Sequence, residues 1–324
     1  MKAAFNVLIT GAAGYLGSIV VQEIAAYMQQ NSLSGKLVGV DIRRPTYLPE
    51  AAIFFQEDIR SAQLAKLCAD HKIDVVLHLV AIVNPGKKSN RQLEYEIEVE
   101  GTRNVLEACL TAKVKRIIVS SSGAAYGYYA DNPAWIREET AIRGNQEFAY
   151  AYHKRLVEEL LATYRDRHHQ LEQVIFRIGT ILGATTRNQI TALFQKPIVL
   201  AVRGSDSPFV FVWDRDVAAC MREAVFSPKT GIYNLAGDGA LSIHEIARKL
   251  GKPVLALPAG LLRSGLFVLK KLGLSQYGPE QLDFLRYRPV LDNHKLKTEF
   301  GFIPQKSSRD VFSFFINSPA MKRR

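Results

Sequence analysis

Short apolar runs alternate with longer amphipathic segments along the first half of the chain. The short runs predict buried strands, and the segments with helical spacing predict helices. Continuous apolar strands that alternate with helices are typical of a parallel sheet covered on both faces. We therefore predict a doubly wound α/β domain. The predicted strands are residues 5–10, 37–40, 75–79, 117–120 and 174–178, and the predicted helices include residues 18–28, 102–110 and 150–164.

The pattern changes after Gly183, where proline, glycine and charged residues become more frequent and apolar runs more scattered. Residues 209–212 and 232–235 still predict strands. Ser242, followed three residues later by Glu245, forms a capping box that predicts a helix start. We divide the chain into a first domain, residues 1–179, and a smaller C-terminal α/β substrate lobe, residues 180–324, some of whose strands can return to the first sheet.

Composition and charge narrow the class of protein. Apolar residues make up 48% and charged residues 23% of the 324 residues, as in ordinary globular chains. The net charge of +11 is scattered without a run of five basic residues, so we expect an anionic ligand rather than a nucleic acid. Three widely spaced cysteines and an N-terminus without a signal peptide favour the cytoplasm. We expect no membrane span and no metal site.

One apolar segment, residues 261–274, carries three basic residues: Arg263, Lys270 and Lys271. Such a segment can lie on a membrane surface. It can equally pack its apolar side on its own lobe or on a partner subunit. The sequence leaves these interpretations open.

Three glycines recur in the stretch that follows the first strand and opens the first helix. Gly11 allows a tight turn, Gly14 lets a pyrophosphate approach the backbone, and Gly17 lets the helix pack on the strand. Exposed amides at the helix start bind the anion. Asp41 ends the second strand 24 residues after Gly17, where an acid would meet the adenosine ribose hydroxyls. The spacing predicts a dinucleotide site.

The same acid bears on the choice of cofactor. Asp41 would repel the 2′-phosphate of NADP, so NAD is favoured. Arg43 and Arg44 follow closely and could receive that phosphate, so the sequence leaves NADP open.

Tyr150 and Lys154 lie four residues apart at the start of a predicted helix, so their side chains share a face. A free phenol titrates near ~10 and is a poor base at neutral pH. A cation at ~4 Å stabilises the phenolate by up to ~4 kcal/mol at an effective dielectric constant of about 20. We therefore expect Lys154, together with a nicotinamide cation, to lower the pKa of Tyr150 and prepare it for proton transfer.

A serine-rich stretch, residues 120–127, follows the predicted strand at residues 117–119. That location puts hydroxyl groups at the carboxyl end of the sheet, where ligands bind in this architecture. A serine there is expected to hydrogen-bond the reacting oxygen. Taken by itself, the stretch is equally explained as a serine-rich turn.

Taken in order, these motifs resemble the extended short-chain dehydrogenase/reductase family, also called the NAD-dependent epimerase/dehydratase family. The sequence is similar to its UDP-glucose 4-epimerase-like members over nearly the whole chain. The resemblance implies a Rossmann fold and a homodimer. Further segments that look like family landmarks are residues 58–59, 78–81, 101–108, 177–180, 216–218 and 292–304.

The resemblance also implies a role for each matched residue. Ser122 is implied to position the substrate oxygen, Tyr150 to act as acid and base, and Lys154 to hold the ribose and tune Tyr150. The implied cofactor contacts are Gly11, Gly14, Tyr15, Leu16, Gly17, Asp41, Ile42, Asp58, Ile59, Leu79, Val80, Ala81, Ser120, Tyr150, Lys154 and Ile178. The implied substrate contacts are Ser122, Ala124, Tyr126 and Thr180.

Several residues depart from the family pattern. Glu98 stands where an Asn is usual. Thr180 and Pro208 stand where residues that hold a nucleotide diphosphate are common, so the substrate class stays open. Gly123 and Ala124, directly after Ser122, offer none of the extra acids that related dehydratases and decarboxylases use. This stretch favours simple oxidation and reduction, or epimerisation.

Three functions remain from the sequence. The first is an NAD-dependent sugar-nucleotide epimerase-like enzyme acting on a secondary alcohol by hydride transfer. The second is an NAD(P)-dependent reductase or dehydrogenase of an apolar ketone or alcohol. The third is a dinucleotide-sensing protein without turnover, which the Ser122, Tyr150 and Lys154 set disfavours.

Overall fold

Apolar strand segments assemble into one parallel sheet and two small sheets. The computed structural model describes residues 5–83, 90–273, 278–279 and 281–322. The central sheet has seven parallel strands in the order β10-β6-β5-β4-β1-β2-β3. The strands are β1 (Val7–Thr10), β2 (Leu37–Asp41), β3 (Ala52–Gln56), β4 (Val75–His78), β5 (Arg116–Ser122), β6 (Glu172–Ile178), β7 (Thr180–Leu182), β8 (Val199–Val202), β9 (Phe211–Trp213), β10 (Gly231–Leu235) and β11 (Val254–Leu257).

Helices cover both faces of this sheet. The described helices are α1 (Tyr15–Gln30), α2 (Gln63–Asp70), α3 (Arg91–Tyr95), α4 (Gly101–Thr111), α5 (Ala149–Arg167), α6 (Gln189–Gln195), α7 (Asp214–Phe226), α8 (Ile243–Leu250), α9 (Ala259–Lys271), α10 (Gln281–Arg286), α11 (Ser308–Ile316) and α12 (Pro319–Lys322). Short π-helical segments span Glu96–Glu100 and Leu296–Phe300, and a 3-10 turn spans Gly123–Tyr126. The predicted doubly wound α/β fold is confirmed.

Successive residues of one strand enter different cores because side chains alternate across a sheet. Val7 and Ile9 pack with side chains of α1 and α7, whereas Leu8 packs with those of α2, α4 and α5. Neighbouring strands on the two sides of β1 connect in opposite directions along the sheet. Such a reversal of strand order opens a crevice at the carboxyl ends of the strands, where ligands bind in this architecture.

The later part of the chain builds a smaller unit beside this edge. Strands β7 and β9 pair in one two-stranded sheet, and β8 and β11 pair in another. The predicted capping box is present, because the Ser242 side chain and the Glu245 side chain bond each other's backbone amides. Strand β10 leaves this unit and joins the edge of the central sheet beside β6. The division at residues 179 and 180 stays a prediction.

The described residues form neither a membrane-spanning helix nor a cluster of metal ligands. None of the helices that these residues form combines the length and the hydrophobicity needed to cross a bilayer. No group of three His, Cys, Asp or Glu side chains among them could hold a metal ion.

His78, at the end of β4, ties three elements together through its imidazole. Its Nδ1 hydrogen-bonds the Thr10 hydroxyl at 2.8 Å, and its Nε2 hydrogen-bonds the Thr102 hydroxyl at 3.0 Å. Burial, reinforced by the charge of Lys154, lowers the pKa of His78 to about 3. The imidazole therefore stays neutral in the folded protein under conditions in which an unfolded chain would bind a proton.

We expect His78 to make the fold sensitive to acid. As the pH falls from about 6.5 towards 3, His78 is protonated in the unfolded chain but stays neutral in the folded chain. The free energy of unfolding therefore falls with the pH in this window. One group contributes a slope of up to about 1.4 kcal/mol per pH unit in that window. Denaturant titrations of the wild type and of His78→Gln measure this, and the variant should have the shallower slope. Equal slopes would assign the acid sensitivity to other groups.

Candidate active site

A cavity of about 570 Å³ lies at the carboxyl edge of the central sheet, between the glycine turn and the later part of the chain. The turn after β1, the ends of β4 and β5 and the start of α5 line one side. The other side is lined by residues 178–190, 208–210 and 284–291. The cavity therefore joins elements that are far apart in the sequence.

The glycine turn has no room for side chains. Gly11 adopts a φ of +73°, and a Cβ on Gly17 would lie 2.0 Å from the Gly11 carbonyl oxygen. Asp41 holds this turn in place, because its carboxylate accepts hydrogen bonds from the Ala13 and Arg43 amides, each at 3.0 Å. This contact explains Asp41 without a ligand, and its predicted bond to a ribose stays a prediction.

The residues of the turn fit a dinucleotide. Helix α1 begins at Tyr15, and its N-cap, Gly14, has no side chain to satisfy the amides of the first turn. Gly14, Leu16 and Gly17 all line the cavity. Amides at such a helix start, together with the helix dipole, favour an anion such as a pyrophosphate.

The predicted catalytic residues meet in this cavity. Ser122, Tyr150 and Lys154 all line it. Ser122 lies close enough to Tyr150 to lower the pKa of its phenol. The Lys154 ammonium donates to the Ser120 carbonyl at 3.1 Å and lies 5.7 Å from the centre of the Tyr150 ring. Helix α5 presents Tyr150 and Lys154 from its first two turns, as their spacing predicts.

The surroundings of Tyr150 shift its pKa in opposing directions. Burial raises the pKa of Tyr150 to about 12, the Ser122 hydroxyl lowers it, and the charge of Glu98 raises it further. The protein groups alone therefore favour the neutral phenol, and the predicted lowering of the pKa by Lys154 together with a nicotinamide cation stays a prediction. Burial also lowers the pKa of Lys154, against the opposing effect of the Glu98 and Glu158 charges. Ionisation of Tyr150 depends on further positive charge in the cavity.

Glu98 lies in the π-helical segment and is 3% exposed. One carboxylate oxygen accepts a hydrogen bond from the Ile82 amide at 2.9 Å, and the other pairs with His153 Nδ1 at 3.0 Å. The sequence singled out Glu98 as a departure from the family pattern but gave no sign of this partner. The pair ties the loop after β4 to helix α5, directly beside Lys154.

Tyr126 does not reach the cavity, which corrects its assignment as a substrate contact. The side chain is fully buried, and its hydroxyl donates to Asn234 at 2.9 Å and accepts from Arg177 at 2.8 Å. The Arg177 guanidinium also lies 4.7 Å from the centre of the Tyr126 ring. Tyr126 therefore connects Arg177 of β6 to Asn234 of β10 in the protein interior.

The other predicted contacts divide into two groups. The lining residues include Gly11, Gly14, Tyr15, Leu16, Gly17, Leu79, Ala81, Ser120, Ser122, Ala124, Tyr150, Lys154, Ile178 and Thr180. Asp41, Ile42, Asp58, Ile59 and Val80 lie outside this lining. Asp58 pairs with Arg60, and Ile59 is buried in the core. Arg43 and Arg44 are exposed. Contacts of these outer residues with a cofactor stay predictions.

The later part of the chain adds lining residues that the sequence did not indicate. Tyr128, Phe148 and Phe284 form an aromatic cluster, with ring centres 5.0–5.6 Å apart. Their spacing along the chain carries no periodic signal, because only the tertiary fold brings α10 against the start of α5. The cluster forms an apolar wall of the cavity.

Arg288 is the second unpredicted element of the site. Its guanidinium lies 3.9 Å from the centre of the Phe209 ring and 4.2 Å from that of Phe284. Its buried Nε and Nη2 atoms have no hydrogen-bond partner among the described residues. Burial lowers the pKa of Arg288 to about 10, so the group remains a cation at neutral pH. The cavity wall therefore offers a positive charge with unused donors.

Tyr15 connects the glycine turn to the opposite wall. Its hydroxyl donates to the Asp214 carboxylate at 2.6 Å and hydrogen-bonds the Thr186 hydroxyl at 2.6 Å. A Cβ on Gly183 would lie 1.8 Å from the same Asp214 oxygen, so glycine is required for this contact. These two hydrogen bonds connect the first turn of α1 to the start of α7 and to the loop after β7.

Comparisons with known proteins agree with this architecture. The sequence model of the NAD dependent epimerase/dehydratase family matches residues 7–236. An uncharacterized protein of Mycobacterium tuberculosis strain H37Rv is 23% identical over 315 residues, covering 94% of this chain and 82% of the relative. UDP-glucose 4-epimerase of Yersinia pestis is 34% identical over 188 residues, covering 55% of this chain and 54% of the relative.

A solved structure is similar over nearly the whole fold. The Thermus thermophilus UDP-glucose 4-epimerase in complex with NAD superposes with a TM-score of 0.70 at 22% identity. The match covers 96% of this chain and 98% of that one. At this identity the likeness concerns the fold.

Proposed function

The chain belongs to the NAD dependent epimerase/dehydratase family, and from that premise we propose that it is an NAD-dependent epimerase that inverts a secondary alcohol of a sugar nucleotide. The observation that carries the proposal is one cavity that holds the glycine turn, the Ser122–Tyr150–Lys154 set and Arg288, whose Nε and Nη2 have no hydrogen-bond partner in the part of the chain that the structure describes. The glycine turn and the Ser122–Tyr150–Lys154 set would support oxidation of an alcohol. Arg288 would bind an anionic group of the substrate.

The residues divide the chemistry between them. Ser122 and Tyr150 hydrogen-bond the reacting oxygen, and Tyr150 takes the proton of the alcohol and later returns it. Lys154 holds the cofactor ribose, and its positive charge stabilises the Tyr150 phenolate. Bound NAD supplies the hydride acceptor and a cationic ring that favours the phenolate. NAD would thus supply hydride transfer in both directions, which permits inversion of the alcohol carbon without net oxidation.

The substrate class follows from Arg288 and from the relatives. A guanidinium with buried, unused donors is matched by the oxygens of a diphosphate, which form charge-assisted hydrogen bonds. The Yersinia pestis and Thermus thermophilus relatives are UDP-glucose 4-epimerases by name. We therefore propose a nucleoside-diphosphate sugar, with its diphosphate at Arg288 and its sugar at Tyr150.

The proposal is tested on the purified full chain. Denaturation followed by mass spectrometry should release NAD in stoichiometric amount, because an epimerase keeps its cofactor between turnovers. UDP-glucose and UDP-galactose should interconvert, which chromatography detects, without net change in NADH absorbance. A chain that carries no NAD and leaves a panel of nucleoside-diphosphate sugars unchanged would overturn the proposal.

A second candidate function rests on the aromatic cluster of Tyr128, Phe148 and Phe284. These rings offer an apolar wall close to Tyr150, as a reductase or dehydrogenase of an apolar ketone or alcohol would need. Such an enzyme exchanges its cofactor at each turnover and changes NAD(P)H absorbance stoichiometrically. A purified chain that is empty, binds NAD(P)H reversibly and consumes it with apolar ketones would favour this candidate.

Arg288→Met should separate substrate binding from stability. We expect KM for the nucleoside-diphosphate sugar to rise about 10–100-fold, since a hydrogen bond to a charged group contributes about 1.5–3 kcal/mol. The thermal midpoint should stay the same or rise, because Met removes a buried charge whose Nε and Nη2 lack a hydrogen-bond partner among the described residues. Steady-state kinetics and thermal unfolding measure both quantities. Arg203→Met, at an exposed position, is the matched control. A large fall in stability with unchanged KM would assign Arg288 a structural role.

A further inference from the structure

Glu98 is a buried carboxylate whose two oxygens bind different parts of the site. Its side chain and that of His153 are each 2% exposed. One oxygen accepts a hydrogen bond from the Ile82 amide, and the other pairs with His153 Nδ1. A buried carboxylate needs hydrogen bonds or a paired charge to replace its water. Here the loop after β4 supplies one partner and helix α5 supplies the other.

The chemistry of the carboxylate fixes the roles in this pair. An ionised carboxylate only accepts hydrogen bonds, so His153 donates through an Nδ1–H group. An Asn at position 98, the usual residue in the family, would be shorter by one methylene and would carry only one acceptor oxygen. It could not accept from both Ile82 and His153 through separate oxygens. Glu98 and His153 are therefore matched to each other.

The loop that Glu98 binds forms part of the cavity wall. Leu79, Ala81 and Val83 line the cavity, and Ile82 lies between the last two in the sequence. The Leu79 amide donates to the carbonyl of Thr10, the last residue of β1, at 3.2 Å. That contact holds the start of the loop beside the glycine turn, and the Glu98 contact holds its far end.

The backbone of Glu98 is also held in place. Its carbonyl accepts a hydrogen bond from the Thr102 hydroxyl at 2.5 Å, and the same hydroxyl bonds His78 Nε2 at 3.0 Å. Glu98 lies in the π-helical segment Glu96–Glu100. Single π-helical turns frequently occur at functional sites. The carboxylate therefore extends from a fixed support.

His153 connects this support to the helix that carries the catalytic residues. It directly precedes Lys154 and lies three residues after Tyr150, within one turn of α5. Its ring packs edge-on against Tyr95, with ring centres 6.0 Å apart. A shift of His153 would therefore move the first turns of α5, where Tyr150 and Lys154 enter the cavity.

Glu98 also acts through its charge. Burial lowers the pKa of Lys154, and the charges of Glu98 and Glu158 raise it. Burial raises the pKa of Tyr150, and the charge of Glu98 raises it further. His78, whose pKa burial and the charge of Lys154 lower, stays neutral. Glu98 therefore favours the protonated forms of both Lys154 and Tyr150.

We propose that Glu98 and His153 are a positioning pair, which holds the loop of residues 79–83 and the start of α5 at a fixed separation so that the cofactor ribose meets Lys154. Neither residue lines the cavity, so both act through the loop and through α5. This role rests on the proposed function, because it assigns the pair to the site of hydride transfer.

Glu98→Ala tests the geometry, because it removes both hydrogen bonds. Hydrogen exchange of the free chain, followed by mass spectrometry, should become faster in residues 79–83. Calorimetric titration of the NAD-free chain should show NAD affinity lowered by about tenfold or more, since the Ile82 amide and His153 lose their partner. A misplacement of about 1 Å costs on the order of 100-fold in rate, so kcat should fall by about 10–100-fold.

Gln173→Ala is the matched control for Glu98→Ala. Gln173 is also buried, and its Nε2 donates to the Leu161 carbonyl of the same helix at 2.9 Å. It does not line the cavity. The control should lower the thermal midpoint while leaving NAD affinity and the exchange of residues 79–83 unchanged.

Glu98→Gln separates the charge from the geometry. The Gln side chain has the same length, can accept from Ile82 through Oε1 and can donate to His153 through Nε2. NAD affinity and hydrogen exchange should therefore stay near the wild type. The rise of alcohol oxidation with pH should move to lower pH, because the charge that raises the pKa of Tyr150 is gone. A merely structural role would leave this profile where it is.

Two variants of His153 complete the test. His153→Asn keeps an N–H donor close to the position of Nδ1, so it should retain most of the NAD affinity and turnover. His153→Phe keeps a ring against Tyr95 but leaves one Glu98 oxygen without its partner, so it should resemble Glu98→Ala. Equal losses in the two variants would contradict the role of the hydrogen bond and overturn the proposal.

The remaining outcomes separate this proposal from the proposed function. Wild-type NAD affinity and exchange in Glu98→Ala, or an unshifted pH profile in Glu98→Gln, would overturn the positioning role and leave the epimerase proposal standing. A wild type that binds NAD but converts no nucleoside-diphosphate sugar would overturn the epimerase proposal, and NAD affinity and exchange would still decide on the pair. A wild type that binds no NAD would overturn both. If Glu98→Ala does not fold, Glu98→Gln and the two His153 variants decide.

Discussion

Tyr150→Phe should lower the turnover rate by about 10²–10⁴-fold while leaving the fold and the dinucleotide content intact. The substitution removes the hydroxyl to which we assign proton exchange with the substrate alcohol, and it keeps the ring. The ring volume holds the packing against Ala124, Ala151 and Phe148. Lys154 keeps its hydrogen bond to the Ser120 carbonyl, because that contact does not involve Tyr150.

Turnover of the preferred nucleotide sugar, NAD content by mass spectrometry and the thermal midpoint together check this prediction. Tyr152→Phe is the matched control, since Tyr152 lies on the same helix, with Arg155 at 5.0 Å from its ring centre, and does not line the cavity. If Tyr150→Phe retained wild-type turnover, another group would have to carry the proton, and the proposed role of Tyr150 would be wrong.

The pH profile gives an independent view of the same group. Burial holds the pKa of Tyr150 near 12 in the protein alone, so the neutral phenol dominates at neutral pH. The proposed mechanism uses the phenolate for oxidation of the alcohol. We therefore expect the rate of alcohol oxidation to rise with pH until Tyr150 ionises in the loaded enzyme, and the limb to disappear in the Phe variant.

Gly17→Ala should abolish tight dinucleotide binding. The added Cβ would lie 2.0 Å from the Gly11 carbonyl oxygen and 3.0 Å from the Ala12 Cα, so the turn has to move. Overpacking of this kind costs on the order of 1–3 kcal/mol. Displacement of the first-turn amides from the anion removes further binding energy. Calorimetric titration with NAD should show a loss of at least about 100-fold in affinity, since 1.4 kcal/mol corresponds to about tenfold.

Alanine variants at two other glycines serve as comparisons for Gly17→Ala. A Cβ on Gly14 would lie 3.1 Å from the same Gly11 oxygen, so Gly14→Ala should weaken binding less. A Cβ on Gly260 meets nothing within 4 Å, so Gly260→Ala should leave affinity unchanged. Equal affinities across the three variants would show that the turn does not hold the pyrophosphate.

Most strands of the central sheet could be predicted from the sequence. They are buried on both faces, so their sequences are continuous apolar runs. Strand β3 was missed, since it lies at the edge of the sheet and its residues are only partly buried. The small sheet of β8 and β11 was missed for a related reason. Its residues Leu200 and Leu255 are exposed, so the pattern around them did not indicate a core.

The candidate site divides in the same way. The glycine turn and the Tyr150–Lys154 pair are local patterns, because residues a few positions apart in one turn or helix are also close in the structure. Arg288 and Phe284 reach the cavity through long-range packing that no local pattern encodes. The pKa of Tyr150 in the protein alone also depends on burial and on the charge of Glu98, and no local pattern encodes either effect.

The two walls of the cavity differ in what they can tolerate. The wall that carries Tyr150, Lys154 and the glycine turn is built on buried strands and helix starts, where most substitutions disturb the fold. The opposite wall comes from three short stretches, residues 178–190, 208–210 and 284–291, which are separated along the chain. Exchange of these stretches among relatives is therefore a route to new substrate preferences that leaves the Tyr150 wall unchanged. A mutational library there would keep Gly183 and Thr186, which the contacts to Asp214 and Tyr15 require.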